Sequence, residues 1–388
     1  MASTKALERA VTIADLRRLA RRRLPRAVFD FIDGGAMDEH TLRDNEADFA
    51  HWTLLPRVAV DVAARDPSVK LLGRAAALPL VLSPVGIEGF FWPGGEIAAA
   101  RAAAKAGVPY CLSTNSIASL EQVAKAAPEA ERWFQLYFLR DRDWLNKLLD
   151  RAAASNYRVL CLTVDVPMQG RRERDLRHGF TLPLKPSLAT MLDLACHPRW
   201  AIGAARSRPS FGNFEGIGRG GFTSIAQHVA TLFDPSVTWD DVARIRARWR
   251  GPIMIKGILH PEDAAKAVSL GIEAVMVSNH GGRQLDRAPS AIAALPEIVT
   301  AIGGRAEIIV DGGVRRGTDV LKALALGATA CGIGRAAVWG VAAGGEAGVA
   351  RTLAILKAEF DNAMALIGIE RMTDLTRDHV RVRASGRS

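Results

Sequence analysis

The sequence predicts an α/β protein, a (β/α)8 TIM barrel with N-terminal helices and a long insertion after strand 4. Eight short apolar runs follow one another beyond residue 75, and alanine-rich helical patterns follow most of them. Most neighbouring run centres lie between 22 residues (254 to 276) and 33 residues (276 to 309) apart. Because parallel strands need helical crossovers, eight such units predict a closed barrel.

The eight predicted strands are centred near Val81, Cys111, Gln135, Leu162, Met254, Met276, Ile309 and Cys331. An open sheet of six units is the alternative, and it requires a glycine-rich dinucleotide turn after its first strand. The chain instead continues as Ser83-Pro84-Val85-Gly86, which is not such a turn. The barrel is therefore favoured.

The chain of 388 residues is predicted to form one domain over 1–388, with the barrel at about 75–365. A barrel of this type takes about 250 residues, which leaves room for appendages. Before the barrel, Thr12 is suited to cap one helix and Pro25 to begin a second one that ends near Gly34-Gly35.

One interval between strand centres is much longer than the others, because 92 residues separate the centres at 162 and 254. Subtracting one ordinary unit leaves an insertion at about 182–239, too long for a structureless loop in a compact domain. It is rich in Pro, Gly and Arg, with apolar residues interspersed: Met191, Leu192, Leu194, Trp200 and Ile202. This composition fits a segment that contacts a membrane surface or a partner. An active-site flap or a disordered loop is the alternative.

The 51 basic and 41 acidic residues give a net charge of +10, which permits nucleic acid, anionic lipid or acidic substrates as partners. The arginines are scattered and lack a platform of stacking aromatics, so nucleic acid is not expected. The four cysteines lack CxxC spacing, which favours buried thiols in a reducing compartment, and no metal site is expected. The charged N-terminus has no secretory apolar region, and we expect a cytoplasmic protein.

Catalysis in such barrels uses residues at the C-terminal ends of the strands. Two glycine-rich segments, 311–317 and 332–335, follow the last two strands and contain arginines. Glycines let backbone N–H groups approach an anion, and arginines add charge. We therefore predict a phosphate-bearing ligand there.

The loop after the sixth strand contains His280 and Arg283. A histidine can accept a proton near neutral pH, and an arginine can hold a carboxylate with two hydrogen bonds. Asp165, at the end of the fourth strand, is suited to fix the tautomer of the histidine. A structural histidine and a turn-capping aspartate are the alternatives.

Lys256 ends an apolar run, where burying its charge without an anionic partner is costly. It is suited to form a Schiff base or to be a fixed charge beside an anionic cofactor, and a structural ion pair is the third possibility. The neighbouring phosphate site favours the second role.

These residues resemble, in order and context, the FMN-dependent α-hydroxy acid dehydrogenase/oxidase family, which includes glycolate oxidase, membrane-associated L-lactate dehydrogenases and (S)-mandelate dehydrogenase. The resemblance covers about residues 25–366, and its most specific element is Ser278-Asn279-His280-Gly281-Gly282-Arg283-Gln284-Leu285-Asp286. It implies an oxidoreductase that holds FMN and converts a small (S)-2-hydroxy acid into the 2-oxo acid.

The resemblance also implies residue roles. His280 is expected to be the base and Asp165 to orient it. Arg283 and Arg172 are expected to bind the substrate carboxylate, with Tyr137 at the substrate hydroxyl. Lys256 is expected beside flavin N1 and O2. The remaining flavin contacts are Ser113, Gln135, Thr163 and the backbone of Val85 and Gly86 at the ring, and Ser278, Asp311, Gly313, Arg315, Gly334 and Arg335 at the ribityl chain and phosphate.

One departure concerns the N-terminal helix, where family members usually carry a substrate-binding tyrosine and this chain has Phe31. Losing a hydrogen bond to a charged group typically costs about 1.5–3 kcal/mol. We therefore expect weaker binding of small hydroxy acids, or a substrate with more apolar surface. Other segments resemble both the lactate and the mandelate branches, so the choice between them stays open.

Two features favour a dehydrogenase over an oxidase that produces hydrogen peroxide from oxygen. Gly86 stands where oxidases tend to have alanine, and the insertion resembles the membrane-attachment segment of the bacterial dehydrogenases. These resemblances imply a quinone or another membrane acceptor, and a peripheral position on the inner face of the cell membrane. Many relatives are tetramers, so a homo-oligomer is expected.

Two rival interpretations belong to other classes. A phosphosugar isomerase or aldolase barrel would use the two glycine-rich segments and Lys256 but not the loop with His280 and Arg283. A basic barrel that binds nucleic acid or lipid without catalysis would need a more concentrated charge.

Overall fold

A closed barrel of eight parallel strands forms the centre of the protein, as a computed structural model shows. The structure describes residues 4–178, 188–207, 209–214 and 233–383. The barrel strands are β4 (Leu80–Leu82), β5 (Tyr110–Ser113), β6 (Arg132–Tyr137), β7 (Val159–Thr163), β8 (Ile253–Ile258), β9 (Ala274–Ser278), β10 (Glu307–Asp311) and β11 (Ala330–Ile333). Each predicted strand centre lies within one of them, and the predicted TIM barrel is confirmed.

The strands pair in sequence order, and β11 closes the ring against β4. The barrel interior is a packed apolar layer that includes Trp133, Cys161, Met254 and Met276, none of which is exposed. A hairpin of β2 (Val69–Leu71) and β3 (Arg74–Ala76) covers the N-terminal end of this layer. The polar residues therefore collect at the opposite, C-terminal end.

The helices alternate with the strands as the sequence predicts. They are α1 (Thr4–Glu8), α2 (Ile13–Arg23), α3 (Arg26–Asp33), α4 (His40–Ala47), α5 (Glu88–Phe91), α6 (Gly95–Ala106), α7 (Leu120–Ala126), α8 (Arg142–Ala154), α9 (Glu173–Arg177), α10 (Leu188–Ala195), α11 (Pro198–Ser207), α12 (Trp239–Arg248), α13 (Pro261–Ser269), α14 (Ala291–Ile302), α15 (Gly317–Ala325) and α16 (Arg335–Ile367). Helix α16 is interrupted at Gly344 and Gly345, where the backbone is not helical. Short 3-10 turns lie at Asp48–His51, Gly212–Phe214, Met372–Asp374 and Arg377–His379, and β1 (Trp52–Leu54) pairs with β12 (Val380–Val382).

Helix α3 brings Phe31 and Ile32 to the C-terminal end of the barrel. Thr12 caps α2 through a reciprocal bond with Asp15, and Pro25 precedes the first turn of α3. Helix α3 ends at Asp33 with Gly34 as its C-cap, and it packs against α2, α9, α10 and α16. Its Phe31 lines the cavity at the C-terminal end of the barrel. This entry and exit match the sequence prediction.

The insertion follows β7, the fourth barrel strand, and ends where α12 begins at Trp239. Residues 179–187, 208 and 215–232 of this region lie outside the described residues, so its predicted extent of about 182–239 is covered only in part. Helix α11 docks on the barrel through Trp200, whose indole N–H donates to the Phe90 carbonyl at 3.0 Å. Within the described part of the chain, no helix is both long and apolar enough to cross a bilayer.

Candidate active site

A cavity of about 270 Å³ opens at the C-terminal ends of the barrel strands. Its polar walls come from the ends of β4, β5, β8, β10 and β11 and from the loop after β9, and its apolar walls include aromatic rings. Of the predicted site residues, the following line it: Phe31, Val85, Gly86, Ser113, Tyr137, Arg172, Lys256, His280, Arg283, Asp311, Gly313, Arg315, Gly334 and Arg335. Behind the lining residues lie four more of the predicted site residues, Asp165, Gln135, Thr163 and Ser278.

His280 and Asp165 form a hydrogen-bonded pair at the cavity. The His280 Nδ1 atom lies 3.1 Å and 3.2 Å from the two carboxylate oxygens of Asp165. Partial burial lowers the pKa of His280 below its ordinary value, although the attraction of Asp165 acts in the opposite direction. The pKa of Asp165 is itself lowered, because the charges of His280 and Lys256 outweigh the effect of its burial. The pair thus consists of a carboxylate and an imidazole that is ready to accept a proton.

Lys256 ends in a buried polar network below the cavity. Its Nζ atom donates to Ser278 Oγ at 3.0 Å and lies 3.4 Å from an Asp311 carboxylate oxygen. Ser278 and Ser83 each donate a hydrogen bond to Asp311. Burial alone would lower the pKa of Lys256, but the carboxylates of Asp165 and Asp311 raise it. The lysine is therefore a fixed positive charge, which disfavours the Schiff-base alternative.

Two arginines flank the ring of Phe31. The guanidinium carbon of Arg283 lies 4.9 Å from the ring centroid, and that of Arg172 lies 5.4 Å from it. Arg283 also donates to the backbone carbonyls of Phe31 and Gly34, which fixes its position. Burial and the nearby charge of Arg172 lower the pKa of Arg283. Two adjacent cations at a cavity wall can bind a carboxylate on both of its oxygens.

Tyr137, from the end of β6, also lines the cavity. Its burial raises the pKa of the phenol to about 12, so the hydroxyl remains protonated and able to donate. Phe233, from the described end of the insertion, packs edge-on against its ring at 5.0 Å. The phenol is thereby held between an apolar wall and the cavity.

Buried polar atoms without a partner test whether FMN fits here. Among the described residues, Gln135 Nε2 and Thr163 Oγ1 have no hydrogen-bond partner although both are buried. Such atoms are costly unless a ligand satisfies them, and the polar edge of a flavin ring offers suitable oxygens and nitrogens. Their place beside Lys256 on neighbouring strands fits a flavin.

The far end of the cavity fits a phosphate group. The backbone at Gly313 has φ +81°, and a Cβ there would lie 1.7 Å from the Asn45 carbonyl oxygen, so no larger residue is accommodated. Helix α16 starts at Arg335 directly after Gly334, which directs its free N–H groups into the cavity. Arg315, whose Nε has no partner among the described residues, stands beside them.

Some lining residues are not identifiable from the sequence as site residues. Phe211 and Phe233 come from the insertion, and Asn115 and Gln169 follow strand ends without a recognisable motif. The sequence contained one indication that the two phenylalanines lie at the site, because an active-site flap was one of the interpretations of this region. Among the described residues, no cluster of His, Cys, Asp and Glu is suited to hold a metal ion.

Comparisons with known proteins agree with this geometry. The FMN-dependent dehydrogenase family matches residues 20–382. The L-lactate dehydrogenase of Caulobacter vibrioides is 46% identical over 359 residues, covering 92% of this chain and 93% of that protein. The crystal structure of monotopic membrane protein (S)-mandelate dehydrogenase superposes with a TM-score of 0.93 at 38% identity, covering 97% and 100% of the two chains. A mandelate oxidase solved with (S)-4-hydroxymandelic acid gives a TM-score of 0.84 at 40% identity, covering 96% and 99%.

The chain therefore belongs to the FMN-dependent dehydrogenase family. It is an FMN-dependent oxidoreductase of the group that acts on 2-hydroxy acids, and the expected fold, cofactor and enzyme class are confirmed. The isomerase, aldolase and non-enzymatic alternatives are excluded by this membership.

Proposed function

We propose that the chain oxidises an (S)-2-hydroxy acid to the 2-oxo acid in this cavity, with His280 as the base. The observation that carries the proposal is the His280–Asp165 pair, whose His280 lines the same cavity as Arg283. His280 accepts a substrate proton on Nε2, since Nδ1 faces Asp165, and Asp165 stabilises the imidazolium that forms. FMN, when bound, would accept the two electrons of the oxidation together with the second of the two hydrogens that the substrate loses.

The proposed FMN site runs from the barrel axis to helix α16. Lys256, Gln135, Thr163, Ser113 and the backbone of Val85 and Gly86 would hold the ring. Ser278 and Asp311 would hold the ribityl chain, and Gly313, Arg315, Gly334 and Arg335 the phosphate. The positive charge of Lys256 would stabilise a reduced, anionic ring.

The side chains that line the cavity indicate the class of substrate. Arg283 and Arg172 would bind the carboxylate, and Tyr137 the hydroxyl group. The surrounding surface is apolar through Phe31, Phe211 and Phe233. This wall favours an aromatic or otherwise bulky side chain on the substrate, mandelate-like rather than lactate-like, because such a group buries more apolar surface.

The test is to purify the protein, record its flavin spectrum and add 2-hydroxy acids without oxygen. We expect (S)-mandelate to bleach the flavin absorption faster at low concentration than (S)-lactate, and (R)-mandelate not to bleach it. If lactate reduces the flavin with a higher kcat/KM than mandelate does, the substrate assignment is refuted. If no 2-hydroxy acid bleaches the flavin, the proposed reaction is refuted.

We further propose a quinone or another membrane acceptor for the electrons. The support is Gly86, which lacks the alanine methyl group of typical oxidases, together with the insertion. Reoxidation of the reduced protein in air and with a soluble quinone decides between the two acceptors. Rapid peroxide production in air at the rate of quinone reduction would establish the oxidase alternative instead.

The insertion is proposed to rest on the inner face of the cell membrane. Met191 is 58% exposed, Leu192 61% and Ile202 52%, and these three residues lie on α10 and α11. Basic residues of the same helices, Arg199 and Arg206, would meet anionic headgroups. A homo-oligomer, such as a tetramer, would present several of these segments to one surface.

Vesicle sedimentation tests the membrane contact. The full chain is expected to pellet with phosphatidylglycerol vesicles, and deletion of about residues 186–225 to release it. Replacing Met191, Leu192 and Ile202 by serine should weaken the binding without a deletion, whereas replacing the distant exposed Val58 and Leu366 should not. Equal partitioning of the full and deleted proteins would contradict the proposal.

A further inference from the structure

A second cavity, of about 730 Å³, lies at the opposite end of the barrel from the active site. It is formed where β6, β7 and β8 begin, beside the last turns of α8 and α12. The hairpin β2–β3 contributes Arg74 to its rim. None of its lining residues belongs to the active-site cavity.

The lining of this cavity is strongly basic. It contains five arginines but two carboxylates, Glu131 and Asp150. Both carboxylates are already paired, Glu131 with Arg158 and Asp150 with Arg248 at 2.6 Å. The cavity therefore carries an excess of three positive charges.

The other three arginines have no acidic partner among the described residues. Arg74 and Arg250 are exposed, and the structure gives their side chains no hydrogen bond or ion pair within that part of the chain. Arg132 is 9% exposed, and its Nη1 donates to the carbonyls of a turn at 127–130, but its Nε has no partner. Three guanidinium groups thus surround one space, and none of them is paired with a carboxylate among the described residues.

A fourth donor completes the set. Trp249 lines the cavity, is 6% exposed, and its Nε1 has no hydrogen-bond partner among the described residues. A Cβ on the lining residue Gly251 would lie 2.8 Å from this nitrogen, so the indole N–H is next to the cavity wall. Buried N–H groups without an acceptor are costly, and an anion with several oxygens would satisfy both Trp249 and Arg132.

We propose that this cavity binds a small soluble anion with two or three negative charges, of the phosphate-ester or pyrophosphate class. Guanidinium groups bind phosphate oxygens in pairs, which suits three uncompensated arginines around one space. If the insertion contacts the membrane as proposed above, this cavity at the opposite end of the barrel faces away from it. A soluble anion therefore fits better than a lipid headgroup.

Calorimetry with inorganic pyrophosphate tests the site in the FMN-loaded protein at constant ionic strength. The variant Arg74→Ala/Arg250→Ala removes two charges whose side chains make no described contact, so folding should be unaffected. The control, Arg21→Ala/Arg22→Ala, removes two exposed charges from the end of α2. We expect wild type and control to bind alike, the cavity variant at least tenfold more weakly, and Arg74→Lys/Arg250→Lys to lie between them.

Three results would overturn the proposal. The first is no pyrophosphate binding by the wild type, and the second is equal weakening in the cavity variant and the control. The third is binding to phosphatidylglycerol vesicles that Arg74→Ala/Arg250→Ala abolishes, because it would assign the cavity to a lipid headgroup. Oxidation of 2-hydroxy acids should be the same in all of these proteins, so failure of this site is distinguishable from failure of the proposed reaction.

Discussion

Replacing Asp165 by asparagine tests how the chain makes His280 a base. The carboxylate oxygens lie 3.1 and 3.2 Å from His280 Nδ1, and the backbone carbonyl of Asp165 is held separately by Gln284. The substitution therefore removes the charge with little change in geometry. At an effective dielectric constant of about 20, a carboxylate at this distance stabilises an imidazolium by up to about 5 kcal/mol. Because the amide oxygen still accepts a hydrogen bond, we expect a loss of about 3 to 5 kcal/mol, or roughly 10²- to 10⁴-fold in kcat/KM.

The pH profile supplies a second readout for Asp165→Asn. His280 must be neutral to accept a proton, so the rate falls as the pH drops through its pKa. Asp165 raises that pKa against the effect of burial. The variant should therefore show its acidic limb at lower pH than the wild type, with an unchanged flavin spectrum. A variant within threefold of wild-type kcat/KM, or an acidic limb moved to higher pH, would refute the reasoning.

Three further predictions concern other walls of the cavity. Phe31→Tyr should lower KM for small 2-hydroxy acids by roughly tenfold, the effect of one hydrogen bond to a charged group, and an unchanged KM for every acid tested would disprove it. Lys256→Met leaves the buried carboxylate of Asp311 without its neighbouring cation, so chemical denaturation should show a loss of about 3 kcal/mol in the free energy of unfolding. Redox titration should show a lower FMN potential, and unaltered values of both quantities would contradict the fixed charge. Gly313→Ala should abolish FMN retention on gel filtration, because the added Cβ would clash with the backbone of Asn45. Full retention of FMN would contradict the proposed phosphate site.

The barrel could be predicted from the sequence because its strands are short, fully buried and evenly spaced. Cys111, Met254 and Met276 each mark the centre of an apolar run, and each lies in an observed strand with no exposure. The closure of β11 on β4 followed from counting eight units. The insertion could not be placed in this way, because it has neither a strand period nor helix caps that a pattern would reveal.

The candidate site was predictable to the extent that residues follow strand ends. His280, Asp165 and Lys256 come from three strand ends, and barrel topology alone brings them together. The contact of Phe31 with two arginines was implied by the family resemblance alone, because from the residues themselves it depends on how α3 packs against the surrounding helices. The basic cavity was missed for a similar reason, since Arg74 and Arg250 are far apart in the sequence and near no motif.

The most direct test of the central claim is anaerobic flavin reduction in His280→Gln. The variant keeps the size and polarity of the side chain but cannot act as a base. We predict that it retains FMN with a normal spectrum and binds the substrate, while the rate of bleaching by (S)-mandelate falls by at least about 10³-fold, within the range attributed to general base catalysis. A variant that holds FMN and is bleached at the wild-type rate would show that the proton goes elsewhere and that His280 is not the base.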